Sequence, residues 1–464
     1  MKAQIQFLGS DSSVTGSRIL LSVGNEKYLI DCGLFQGAKE MRNKNWQNFS
    51  CSPKDVTAVV LTHAHLDHSG YLPKFYKEGY RGPIFTSPGS SDLASVLLLD
   101  AAYLEEEQAK FANESGYSNH RPAYPLFRTE DAEACLKKFE TVPRNNWVCI
   151  SKNVSFRLLR AGHIIGASMV QFAISNDNTT KTVTFSGDIG HERSRVLKGP
   201  VNLNEENVLV LESTYGNRLH SKESSLEQLA MIANRTFERE GVLVIPSFAV
   251  GRAQELTFMI RELENRGAIP KVPVILDSPM AARATEIFLE HPEDQIISSE
   301  FLGHGDVFAP ALYEICETPD ESMLACMRDG PMIVISASGM LNGGRILHHL
   351  KTRLPDEKNT VVFSGYQAEG TKGRFLQDNA SGLESLRIHH KEVPIRAEIH
   401  TLDALSAHAD YSEIIEWIKR SRQVPKKIIL NHGTEESQNQ FAEKLRTEFG
   451  VEVIVSHRNK IINI

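Results

Sequence analysis

A chain of 464 residues is longer than one hydrophobic core usually supports, so two domains are expected. Its 41% hydrophobic and 23% charged residues are those of an ordinary soluble globular protein, and no run approaches the roughly 20 apolar residues that a membrane helix needs. The net charge of −7 does not mark a nucleic-acid binder, so a polyanionic substrate would have to be held by local cations or by metal. The first residues, Met1 to Gln6, alternate polar and apolar, which reads as a strand and not as a signal peptide. Six scattered cysteines without CxxC spacing point to a reduced, cytoplasmic setting.

In chain order, Ile19–Val23 and Tyr28–Ile30 flank Gly24-Asn25-Glu26, a hairpin signal, and the second strand delivers Asp31. The apolar run Val56–Leu61 reads as a buried strand and leads into His63-Ala64-His65-Leu66-Asp67-His68. Three imidazoles and a carboxylate in six residues suit Zn²⁺ or a similar divalent metal, and could serve two ions. Residues 91–112 read as a helix and 113–125 as a polar loop. Strands over 154–159, 170–174, 183–185 and 208–211 follow, and His163, Asp188 and Glu212 lie at or just past the ends of three of them. After Gly216 strands and helices alternate, which predicts a parallel sheet covered by helices. A helix is expected to begin near Gly343-Gly344. Strand-rich sequence around Ile395–Leu402 is read as the return to the first domain, followed by His408, a helix from Tyr411 with Asp410 as its N-cap, and Asn431-His432-Gly433.

Every candidate ligand thus follows an apolar strand, as a strand-end active site requires. Singly, His163 and His432 read as satisfied core histidines, Asp188 and Asp31 as turn residues, and Glu212 as a salt-bridged acid.

The His63–His68 cluster with Asp31, His163 and Asp188 resembles the metallo-β-lactamase fold, an αββα sandwich with a dinuclear metal site. Glu212, Ser406-Ala407-His408-Ala409-Asp410 and Asn431-His432-Gly433 resemble the three extra motifs of the β-CASP nucleases. Phe248–Glu255, Asp277–Met280, Ser336–Met340 and Ser364–Thr371 resemble that family's inserted domain. The chain is similar to prokaryotic homologues of the endonuclease subunit of the mRNA 3′-end cleavage and polyadenylation factor. The resemblance implies a core over residues 1–213 and 396–464, with a β-CASP insert over 214–395. It implies one zinc on His63, His65 and His163, and a second on Asp67, His68 and His432. Asp188 would bridge the two, and Asp31 would orient a ligand imidazole. Mn²⁺ is an alternative metal.

The implied activity is hydrolysis of single-stranded RNA by a hydroxide shared between two metals, leaving 3′-hydroxyl and 5′-phosphate ends, in a cleft between core and insert. Asp67 and Asp188 would take part in catalysis. His408 is expected to be the general acid, with Glu212 orienting it. Ser336, Ser338 and Gly339 form a small-residue βα turn suited to a phosphate. Arg252, Arg283, Arg345, Lys372 and Arg374 are candidates for backbone phosphates, although each one singly reads as a solvated surface charge. The alternatives are a DNA nuclease, which the histidine at position 432 disfavours, a catalytically silent RNA-binding subunit, and a small-molecule hydrolase. Endonuclease action is expected, with a 5′-to-3′ exonuclease and a homodimer left open.

Overall fold

The structure is a computed structural model that describes residues 2–464, except 117–120, 177–178, 205, 222, 297–306, 366, 368–369, 379–384 and 403–404. The described chain forms two units. One comprises Met1–Arg193, Lys198–Leu219 and His408–Ile464, and the other Ser194–Leu197 and His220–Ala407. Among the described residues no helix is long and apolar enough to cross a membrane.

The first unit holds two seven-stranded sheets. One runs Ile461–Asn463, Ala3–Phe7, Ile19–Val23, Glu26–Ile30, Ala58–Val60, Ile84–Thr86, Phe139–Thr141. The other runs Glu452–Val455, Lys427–Asn431, Val208–Glu212, Thr180–Phe185, Ser168–Ser175, Val154–Arg160, Val148–Cys149. Alternate residues of both sheets, among them Ile5, Leu21, Tyr28, Val60, Phe156, Val170, Phe172 and Val210, make one apolar core between them. Tyr28 and Phe172 meet across it with ring centroids 5.8 Å apart. Helix Glu435–Phe449 packs on the outside of the second sheet.

Each sheet is antiparallel in one half and parallel in the other, and the parallel half decides where the chemistry lies. Glu26–Ile30 pairs in parallel with Ala58–Val60, and Val208–Glu212 with both Thr180–Phe185 and Lys427–Asn431. Parallel neighbours end at a common edge. Asp31 therefore follows its strand beside Leu61, and Glu212 is paired with Asn431, the residue before His432.

In the second unit six strands form an all-parallel sheet in the order Leu312–Ile315, Pro273–Asp277, Met332–Ser336, Val242–Pro246, Thr360–Phe363, Glu398–Thr401. Separate apolar clusters cover its two faces, with Leu256 and Ile260 on one and Leu347 and Leu350 on the other. The expected alternation is therefore present, but its end lies further on. Glu398–Thr401 hydrogen-bonds in parallel to Thr360–Phe363, so this strand belongs to the insert's sheet and not to the core. A short apolar strand carries no mark of the sheet it will join. The helix expected near Gly343-Gly344 begins at Ile346, because Gly344 has φ +78°, outside the helical region. The helix expected over 91–112 spans Pro88–Ser115, capped by the Ser87 hydroxyl and stopped by the left-handed Gly116, so the loop starts later and includes undescribed residues 117–120.

Replacing Phe172 by Ala empties the centre of the sandwich and should lower the first unit's stability by about 3–5 kcal/mol. The check is a shift in the denaturant midpoint of that unit.

Candidate metal centre

The loop carrying the cluster is fixed by its backbone before any side chain is considered. His63 and His65 follow the strand end, and Leu66–Ser69 then forms one short helix that turns Asp67 and His68 back toward them. The loop over residues 32–34 is zipped onto this turn by bonds from Cys32 N to His68 O (2.7 Å) and from Leu34 N to Leu66 O (2.8 Å). Gly33 sits so close that a Cβ would lie 1.6 Å from the Asp67 carbonyl oxygen, which requires glycine. Asp31, at φ +59°, accepts from Thr62 N (2.8 Å) and Thr62 Oγ1 (3.0 Å) and bonds His68 Nδ1 at 2.7 Å. Its carboxylate thereby aims Nε2 of His68 at the centre.

Two groups of donors face each other there. In one, His65 Nδ1 lies 3.1 Å from His63 Nε2 and 3.2 Å from His163 Nε2. Asp188 Oδ2 is 3.4 Å from His63 Nε2 and 3.5 Å from His163 Nε2. In the other, Nε2 of His68 and Nε2 of His432 are 3.2 Å apart, and Asp67 Oδ2 lies 3.8 and 3.5 Å from them. The remaining oxygen of Asp188, Oδ1, is 3.2 Å from His68 Nε2 and 3.4 Å from His432 Nδ1. All seven sequence-predicted ligands therefore converge, with Asp188 Oδ2 beside His63 and His163 and Oδ1 beside His68.

The donor set fits divalent metal. Ligands about 2.0–2.1 Å from a tetrahedral zinc stand roughly 3.3 Å from one another, close to most of these separations. Facing imidazole nitrogens can satisfy each other only if one carries a proton, and Asp188 Oδ1 is buried with no hydrogen-bond partner. Protonation runs the same way. Burial, with His68 nearby, holds His63 below the usual histidine range, and burial with His63 lowers His65 to about 3. Burial opposes ionisation of Asp188, yet the surrounding His68, His432 and His408 keep its carboxyl well below the normal range. Neutral imidazole beside ionised carboxylate is the metal-binding form.

Beside this centre, Glu212 accepts from Ile189 N (2.5 Å) and Thr214 Oγ1 (2.5 Å), and both of its oxygens lie 3.1 Å from His408 Nδ1. His408 Nε2 lies on the other side of the ring, 3.9 Å from Asp188 Oδ2, and the side chain is 20% exposed. Burial would lower the His408 pKa, but Glu212 and Asp188 raise it to about 9. Asp410 caps the helix Tyr411–Lys419 by accepting from Ser412 N and Glu413 N. Thr62 and Thr214, which fix Asp31 and Glu212, are not singled out by the sequence. Their only signal there is adjacency to motif residues.

Family models match the same segments: the metallo-beta-lactamase superfamily over residues 16–80, the Beta-Casp domain over 253–376, and the Zn-dependent metallo-hydrolase RNA specificity domain over 392–456. Ribonuclease TTHA0252 of Thermus thermophilus is 36% identical over 92% of this chain and 92% of its own length. The chain belongs to the β-CASP family of metallo-β-lactamase-fold ribonucleases. It is accordingly a metal-dependent hydrolase of RNA. Transcription termination factor FttA of Methanocaldococcus jannaschii is 32% identical, over 96% of this chain and 69% of that protein. A crystal structure of a protein of unknown function from Enterococcus faecalis V583 shares the fold, with a TM-score of 0.54 at 14% identity and full coverage of both chains.

The β-CASP residues expected to meet phosphate fare differently. Ser336 is buried, with its hydroxyl on Asp277 O (3.0 Å). Arg345 donates to Asp277 Oδ1 and to Cys316 O, both at 2.9 Å. Arg252 is buried and paired with Glu255 at 2.7 Å. Each of these three side chains is thus bonded within the β-CASP unit. Arg283 is paired with Glu286, and Arg374 with Asp378 at 2.7 Å. Ser338 and Lys372 are half-buried and Gly339 lies against Phe248. In the motif over 364–371, Tyr366, Ala368 and Glu369 lie outside the described residues.

Asp31→Asn keeps the shape but removes the charge that orients His68, and should weaken metal binding about 10- to 100-fold. Titration with a competing chelator measures this, and the thermal midpoint of the metal-free protein should change little.

Proposed function

We propose that this β-CASP protein is a zinc-dependent ribonuclease that cuts single-stranded RNA internally, leaving 3′-hydroxyl and 5′-phosphate ends. The carrying observation is Asp188, whose two oxygens address two separate donor groups beside one partly exposed imidazole. His63, His65 and His163 would hold one Zn²⁺, Asp67, His68 and His432 the other, with Asp188 shared. When bound, two such cations lower the pKa of water to about 7 and offset negative charge on phosphoryl oxygens.

The chain's own residues supply the rest. Asp67, at 18% side-chain exposure, reaches nearest to solvent of the acidic ligands and orients the attacking water. His408 gives the proton on Nε2 to the departing 3′ oxygen. Glu212 holds Nδ1, keeps that proton in place until it is needed, and stabilises the ring's charged form. Ile189 N and Thr214 occupy the other lone pairs of Glu212, so its carboxylate cannot swing away. The six cysteines are free thiols, in keeping with a cytoplasmic setting.

His408→Ala should slow cleavage of end-labelled RNA by about 10²–10⁴-fold while elemental analysis finds the metal content unchanged. Undiminished cleavage would remove His408 from the mechanism. Label at either end distinguishes internal cutting from trimming, and a matched DNA strand should be a poor substrate. Exhaustive chelation should abolish activity, with Zn²⁺ or Mn²⁺ restoring it; no recovery with either metal overturns the reading.

A further inference from the structure

The arginines of the β-CASP insert singled out for phosphate are each paired with an acid, whereas some cations of the first unit are not. Three of them surround a single ring in the first unit. The guanidinium of Arg18, the ammonium of Lys44 and the guanidinium of Arg458 stand 4.8, 5.3 and 5.6 Å from the centroid of Phe35. Each lies within cation–π range, but like charges gathered on one ring repel, and the ring's quadrupole offsets only part of that. Among the described residues no carboxylate forms an ion pair with any of the three. Asp11, the nearby acid, spends Oδ2 on the backbone N–H of Arg458 at 3.0 Å and not on its guanidinium.

The cluster is built and not accidental. Arg18 is 4% exposed, donates from Nε to Gly33 O (2.9 Å) and from Nη2 to Asn45 Oδ1 (3.2 Å), and lies 4.0 Å from the Tyr71 centroid. Asn45 in turn bonds both backbone groups of Phe35, at 2.9 and 2.8 Å. Lys44 is half-buried, and beside it the large ring of Trp46 stands 58% exposed. Lys39, Arg42 and Lys460 on the flanking segments are exposed and form no ion pair among the described residues.

This patch is joined to the metal centre by short backbone connections. Phe35 directly follows Leu34, whose N–H is bonded to Leu66 beside Asp67. On the other side Ser10 O accepts from His432 N at 2.8 Å, and the next residue, Asp11, holds the segment of Arg458. Cations that form no ion pair with a described carboxylate, with an exposed indole beside them, match what single-stranded nucleic acid requires: charge for the backbone and a flat ring for a base.

We infer that Lys44 and Arg458, backed by Arg18 and flanked by Trp46, form a docking surface for single-stranded RNA, with phosphate seated at the Phe35 cation cluster and a base stacked on Trp46. This rests on the ribonuclease reading above and names where its substrate is held.

The test uses the full chain and a short fluorescein-labelled single-stranded RNA, with EDTA present to prevent turnover. Lys44→Gln/Arg458→Gln should raise Kd about tenfold and reduce the salt dependence of log Kd by about 0.7 for each phosphate no longer held. Trp46→Ala should also raise Kd about tenfold, a loss that persists at high salt because stacking is not screened. A control pair, Lys137→Gln/Lys152→Gln, should bind RNA like the wild type. Hydrolysis of bis(p-nitrophenyl) phosphate reads the metal centre in the same variants, and the ratio of RNA cleavage to cleavage of this small diester should fall about tenfold in the metal-loaded patch variants. If wild type binds and cuts RNA and the patch variants match it in Kd and salt slope, the docking surface is wrong and the ribonuclease reading stands. If wild type neither binds nor cuts RNA, both fail.

Discussion

Buried negative charge has to be matched, and the rest of this structure is arranged around doing so at Asp188. That carboxylate is 2% exposed, and an ionised carboxylate is costly in such a place unless cations or strong donors surround it. It has imidazoles on every side and no hydrogen-bond partner for Oδ1. His68 shows the same demand from the opposite direction. Burial would keep it neutral, yet Asp188, Asp31 and Asp67 together pull its pKa well above the ordinary value. A positive charge is wanted at that spot, and a bound divalent metal would supply it without requiring a histidine to carry a proton.

Two mixed sheets make this possible because their parallel halves deliver several loops to one edge. Asp31, the histidine loop, Asp188, Glu212 and His432 come from strands that are neighbours in hydrogen bonding but far apart in sequence. Around them, nearly every group that aims a catalytic or ligating side chain is itself held. Thr62 holds Asp31, which holds His68; Thr214 and Ile189 N hold Glu212, which holds His408. Such chains of fixed groups reduce the reorganisation needed when charge moves during reaction.

Much of this is legible in the sequence. A histidine or acid directly after a buried strand is placed by that strand's end, but singly His163, Asp188 and His432 read as core or turn residues, and only the His63–His68 cluster and the family resemblance join them. The sheet to which Glu398–Thr401 belongs cannot be read, because pairing partners are chosen by tertiary contacts and not by the strand's own composition. The arginines of the insert are paired for a local reason. Arg252, Arg283 and Arg374 each have an acid three or four residues later on the same helix, a spacing that favours pairing and is present in the sequence. The grouping of Arg18, Lys44 and Arg458 around Phe35 joins the N- and C-terminal parts of the chain, and no local pattern announces it.

The pairing of Glu212 with Asn431 carries one more implication. A single rung of the ladder positions both the carboxylate behind the proposed proton donor and the residue preceding a proposed metal ligand. Slippage by one residue would turn Glu212 to the opposite face and carry His432 along the edge at the same time. Evolution therefore cannot tune the two halves of the chemistry independently by shifting this strand. Divergence within such a scaffold is channelled into the loops beyond the rung, where one function can drift while the other stays anchored.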